Sequence, residues 1–270
     1  MQHLQKTKSH ETPESGEVIV LPPVQVRRRT PTFARRINAI LQRIIPAFLG
    51  LGLLVVLWQL AAINSKGFPT PLSTLDSAIT LFADPFYRDG PNDMGIGWNV
   101  LASLQRVAVG FGLAAFAGIP LGFLIGRFTF FSRMFGPLIA LLRPVSPLAW
   151  LPIGLLLFQK AEPASSWTIF ICSIWPMVIN TAEGVRRILF PAVLPAVLTG
   201  VRLSIGIAWL VIVAAEMLTG GLGIGFWIWN EWNNLNVENI LIAIVIIGVV
   251  GLLLEQGLML IARRFSWQEK

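Results

Sequence analysis

Four long uncharged runs organise this chain, at residues 44–65, 107–126, 163–182 and 239–254, with short polar stretches between them. About 20 apolar residues carry an α-helix across the hydrocarbon of a bilayer. The pattern therefore predicts an all-α integral membrane protein. Following each apolar stretch to its polar ends gives six transmembrane helices, at 44–63, 100–126, 135–158, 166–181, 193–217 and 239–262. The third contains Pro137, Pro144, Pro147 and Pro152, which break its regularity because proline lacks the helical N–H. Between the first two spans, Thr74, Leu75, Ala78, Leu81 and Phe82 recur at a helical period, predicting a short amphipathic helix at the surface.

The transmembrane domain is thus read as residues 44–264, with a polar tail at 1–43 and a short one at 265–270. Residues 1–30 are polar and aperiodic and read as disordered. The following RRRTPTFARRINAILQR combines a basic face with scattered Ile, Leu and Phe, as an interfacial helix does. No apolar segment begins early enough for a cleaved signal peptide, so the tail is expected to remain.

Composition agrees with this reading. The chain is 54% hydrophobic and 13% charged, too few charges to cover a soluble surface. Its net charge of +7 raises nucleic acid as a partner, but the placement of the charges excludes it. Eight of the 21 Lys and Arg residues precede the first span, and most others sit at span ends. With both termini inside, 15 basic residues fall on the inner side and only Lys66, Arg88 and Lys160 on the outer. The positive-inside rule therefore predicts a multi-pass inner-membrane protein with both termini cytoplasmic. Trp58, Trp98, Trp227, Trp229 and Trp232 lie near predicted span ends, where indole favours the headgroup layer.

Little in the chain points to catalysis. Cys172 is the only cysteine, so there is no internal disulfide and no multi-cysteine metal site; it reads as a lipid- or helix-facing filler. His3 and His10 belong to the polar tail. The spans offer no histidine and two glutamates, too few for an intramembrane enzyme. No GxxxxGK[ST] phosphate loop occurs. The glycine cluster at 220–225 follows a predicted membrane helix, not a strand, and reads as a loop or helix break on the outer side. The chain is expected to bind no cofactor.

Several motifs, in order, give the chain a family resemblance: NTAEGV, then ILFPAVLPAVLTGVRLSIGIAWLVIVAAEM, then GGLGIGFWIW. Over about residues 45–265 it resembles the permease subunit of binding-protein-dependent ABC importers, type I in architecture. Within that group it is most similar to the nitrate, bicarbonate, sulfonate and taurine branch. LRPVSPLAWLPIGLLLF is similar to cyanobacterial nitrate and bicarbonate permeases in particular. The resemblance implies a homodimer of permeases in lipid. ABC ATPase subunits carrying ATP and Mg would bind at the cytoplasmic face, and a periplasmic solute-binding protein would deliver a small oxyanion. Nitrate or nitrite is the first choice, bicarbonate the second, sulfonates or taurine the third. A secondary transporter or channel is the reading from a different class, and persistent uptake after ATP depletion would distinguish it.

In that family, a cytoplasmic loop between the fourth and fifth core helices docks into the ATPase. Here Glu183, Gly184, Arg186, Arg187, Ile188 and Pro191 occupy it by resemblance, with Phe190 replacing the family's Leu. The alternative for Arg186 and Arg187 is that they only anchor topology. The family's Glu-Ala-Ala segment is missing, because EGVRR runs straight into ILFP. Two accounts stay open. Either a segment of the natural chain is absent from this sequence, or coupling takes another route.

Charged residues within spans are costly and face a partner or a pathway. Arg143 could contact a planar oxyanion through its guanidinium fork, beside a carbonyl freed by Pro144; the alternative is a structural ion pair. Glu216 would repel an anion and is expected to pair with Arg143 or Arg106. Snorkelling to the interface is the alternative for Arg106 and Arg202. Ser146, Trp150, Asn180 and Ser204 are candidates to line the pathway, or polar contacts between helices.

Overall fold

The computed structural model describes residues 33–65, 67–91, 93–187 and 193–265, and the chain divides into two units, Met1–Leu54 and Val55–Lys270. Residues 1–30, read as disordered, lie outside the described residues. Helix α1 (Phe33–Asn64) is continuous through Pro46. The described part of the expected interfacial helix, residues 33–43, is continuous with the first candidate span, Ile44–Asn64. One turn later, α2 (Pro71–Ala83) begins with a residue pattern made for a helix start. Thr70 is its N-cap, accepting from the Ser73 N–H at 3.2 Å, and Pro71 follows at the first helical position, where its missing N–H costs nothing. The Trp58 indole N–H donates to the Pro69 carbonyl at 3.0 Å and fixes the turn into α2. Thr74, Leu75, Ala78 and Phe82 line a groove against Ile242, Val245, Ile246 and Val249, as the amphipathic period predicts.

Three helices form the interior: α3 (Ile96–Arg127), α6 (Ala161–Arg187) and α7 (Leu194–Thr219). The face of α3 that meets α6 carries Gly110, Ala114, Gly118, Gly122 and Gly126, one small residue per turn. Such a stripe lets backbones approach closely. Each of its glycines lies against the α6 residue 56 positions later, Gly110 on Ser166, Gly118 on Ile174, Gly122 on Val178 and Gly126 on Ala182. A constant offset means that the two helices run parallel. Helix α7 returns antiparallel, with Gly184 against Ala196 and Gly200 against Asn180.

Around this interior lie α4 (Thr129–Leu142), a 3₁₀ turn (Pro147–Trp150), α5 (Leu151–Phe158), α8 (Ile224–Asn233) and α9 (Val237–Phe265). Burial ranks the helices: 56% of the most apolar window of α6 is buried, against 11% for α9. The difference marks α6 as central and α9 as peripheral within the chain. The expected third span is not one helix. Helix α4 and the 3₁₀–α5 segment are bent by 102° at residues 143–146, where Pro144 and Pro147 remove the N–H groups that would continue α4. Among the described residues, five helices are long and apolar enough to cross a membrane, and this bent pair makes a sixth if it counts as one span.

Trp227, expected in the headgroup layer, is a core residue, packed with Ile96, Ile212 and Ile224. Trp209 is also buried; its ring rests on Gly251, and its indole N–H donates to the Ile247 carbonyl at 2.9 Å. Trp209→Phe removes this hydrogen bond and keeps most of the ring. A loss of about 1 kcal/mol is expected, read as a modest fall in the detergent unfolding midpoint.

Candidate functional site

Two polar constructions interrupt this apolar body. The first lies at the end where α3 and α6 begin and α7 finishes. Asn99, Ser103 and Arg106 follow one another along one face of α3, all buried. Helix α7 ends after Glu216 in a turn through Gly220 and Gly221, whose φ angles of 75° and 88° lie where glycine is favoured. The chain then enters α8, whose first N–H groups have no helical acceptors. Side chains take them. The Gly223 N–H donates to Asn99 Oδ1, the Ile224 N–H to Ser103 Oγ and the Gly225 N–H to Glu216 Oε2, each at 3.0 Å.

Glu216 is 1% exposed, and its carboxylate also accepts from Ser103 Oγ and from Arg106 Nη1, both at 2.8 Å. Arg106 completes the network by donating to the Leu222 carbonyl at 2.5 Å and to Glu162 Oε1 at 3.0 Å. Its side chain is 9% exposed while Glu162 is 77% exposed, so the guanidinium joins a buried carboxylate to a surface one. Arg106 is thus turned inward and does not snorkel. Arg202 pairs instead with Glu255 of α9, Nε to Oε1 at 2.6 Å. Near the first network, Tyr87 donates to Asp93 Oδ1 at 3.1 Å. Burial and then the Asp93 carboxylate push the phenol up to about 12, so it stays protonated.

The second construction is a cavity of about 290 Å³ between the α4–α5 elbow, α6 and α7. Arg143, Trp150, Cys172, Trp175, Asn180 and Leu203 are among its lining residues. Arg143, Trp150 and Asn180, three of the residues expected along a pathway, therefore share one space. Ser146 is on the exposed elbow, between the lining residues Val145 and Pro147. Glu216 is not in the cavity; it belongs to the Arg106 network. Ser204 donates to the Ser173 carbonyl at 2.7 Å and ties α7 to α6. Cys172 and Trp175 were not foreseen as lining residues. Their spacing from Asn180 along α6 gives all three a common side.

At the opposite end, α6 finishes at Arg187 and α7 starts at Leu194. Gly184 is buried against Ala196 and Val193, Glu183 is exposed, and Arg186 donates to Ser132 of α4. Ile188, Pro191 and the side chain of Arg187 lie outside the described residues.

Comparison with known proteins gives this arrangement a context. The family described as binding-protein-dependent transport system inner membrane component matches residues 179–266. A nitrate import permease protein of Leptolyngbya laminosa is 40% identical, covering 88% of this chain and 94% of that protein. One from Synechocystis sp. is 42% identical over 79% of this chain and 86% of its own. A bicarbonate transport system permease protein of Synechocystis sp. is 40% identical, covering 80% and 86%. The first match extends over 261 residues, whereas 88% of 270 is about 238, so about 23 of its positions have no counterpart here. A shortfall of that size is enough for a short helix and its flanks, at about 1.5 Å per helical residue.

Proposed function

Because the chain belongs to the family of inner-membrane components of binding-protein-dependent transport systems, we propose that it is the membrane-spanning permease subunit of an ATP-driven nitrate importer. The observation that carries this reading is 40–42% identity to proteins named as nitrate import permeases over most of both chains. Bicarbonate is the second reading, favoured by the 40% identity of a bicarbonate permease. The subunit makes and breaks no covalent bond. Separate ATPase subunits hold ATP and Mg, and their closure rocks the helices to alternate access.

The positive-inside distribution supports cytoplasmic termini. It puts the α6–α7 connection, with Glu183, Gly184, Arg186, Arg187, Ile188 and Pro191, at the face that meets the ATPases. The Arg106 network then lies at the outer face, which a solute-binding protein would approach. Arg143 supports a second copy of the chain: it is exposed between the halves of a bent span, where an uncovered cation would face hydrocarbon.

The test is uptake of labelled nitrate by cells that lack their own nitrate transport and express this chain with its partner ATPase and binding protein. Saturable uptake that stops on ATP depletion, with the ion gradient clamped, is expected. Uptake that persists would overturn the ATP-driven reading in favour of a secondary transporter.

A further inference from the structure

We propose that the elbow cavity selects its solute by negative charge and not by shape, with Arg143 as the specificity-determining residue. The inference rests on the proposed import of a small oxyanion and says how this chain handles it.

Among the described residues that line the cavity, Arg143 is the one cation and none is acidic. Among the described residues Arg143 makes no ion pair, and three of the membrane-side carboxylates are engaged with other arginines. Glu162 and Glu216 pair with Arg106, and Glu255 pairs with Arg202. A guanidinium between the halves of a bent span without a carboxylate partner leaves its charge for a solute. The other groups add little to hold an anion's shape. The Asn180 amide donates back to the Pro176 carbonyl of its own helix at 2.8 Å. Pro176 has no N–H to offer, so the Cys172 carbonyl one turn earlier loses its helical donor, and a carbonyl oxygen repels an anion. The remaining lining is largely Val, Ile, Leu, Pro and Trp.

Size leads to the same conclusion. A volume of about 290 Å³ is many times the roughly 10–15 Å³ that one water needs. A small oxyanion thus enters with part of its hydration shell. Reading a planar anion's outline requires several fixed donors around it. Here only Arg143 brings a formal positive charge among the lining residues, beside the neutral N–H groups of Asn180, Trp150 and Trp175. The cavity is therefore permissive among small oxyanions of like charge. Any choice between nitrate and bicarbonate is made before the solute reaches it.

The test uses the full complex and the nitrate uptake assay, with Arg143→Gln, Arg143→Lys and Asn180→Asp. Loss of a charge-assisted contact lowers Arg143→Gln uptake about tenfold or more. Arg143→Lys, which keeps the charge and loses the fork, retains uptake within about threefold. Asn180→Asp falls as far as Gln, because its carboxylate neutralises the guanidinium. Arg143 strands no carboxylate among the described residues, so the Arg143 variants keep the wild-type unfolding midpoint in detergent. Wild-type uptake by Arg143→Gln overturns the proposal. So does an Arg143→Lys protein as inactive as Gln, since the fork geometry would then be what is read. A wild-type complex that imports bicarbonate but not nitrate removes the choice of nitrate alone, and the same panel is then read with bicarbonate. Import of only a neutral or cationic solute overturns both readings.

Discussion

Arg106→Ala is expected to leave little folded protein after detergent extraction. The substitution strips the cation from Glu216, a carboxylate that is 1% exposed and cannot turn to water. It also removes the donor to the Leu222 carbonyl and the link to Glu162. Breaking a buried ion pair from one side costs about 3–5 kcal/mol, because the remaining charge stays buried without a partner. Arg106→Lys is expected to recover only part of this. An ammonium is a compact charge and lacks the planar fork that reaches Glu216, Leu222 and Glu162 together. Glu216→Gln in the Arg106→Ala background removes the stranded charge and is expected to raise the yield again. The measurement is the monodisperse fraction and unfolding midpoint of each variant. A wild-type midpoint for Arg106→Ala would show that the network contributes nothing to the fold.

That network also shows how far a sequence can be read. Charges within apolar runs must find partners, which narrowed Glu216 to two arginines, and the geometry chooses Arg106. Asn99 and Ser103 escaped notice because Asn and Ser in a membrane helix have many uses. Theirs depends on a loop that returns more than 120 residues later to present the Gly223 and Ile224 N–H groups. A polar stripe at Asn99, Ser103 and Arg106 on an otherwise apolar face was the available signal.

The prolines at 144 and 147 announced a break but not its 102° bend, since a missing N–H permits an angle that packing against α6 and α7 must then set. For the same reason Arg143 could be assigned to a span, but not to the elbow that opens it into a cavity. Trp227 sits at a span end in sequence and in the core in space, because position along a helix does not say which side the ring faces. The positions of the spans other than the third, by contrast, were legible to within about six residues at their ends. Apolar length is fixed by the thickness of hydrocarbon, a constraint that acts on sequence directly.

The second large effect is expected from a single added methyl group. At Gly225, the second residue of α8, a Cβ would overlap the Val213 backbone carbonyl of α7 and lie 2.9 Å from the Glu216 Cβ. Neither neighbour is the free end of a flexible side chain, so the strain cannot be absorbed by a rotamer change. Relief requires moving the start of α8 away from α7, which pulls the Gly225 N–H from Glu216 and disturbs the adjacent bonds to Asn99 and Ser103. Overpacking costs typically about 1–3 kcal/mol, and the loss of a hydrogen bond to a charged group adds about 1.5–3. Gly225→Ala is therefore expected to destabilise the protein nearly as much as Arg106→Ala. Gly248→Ala, with nothing within 4 Å of the added carbon, is the control and should retain the wild-type midpoint. If the two glycine variants unfold together, the close approach of α8 to α7 is not what holds this end of the protein.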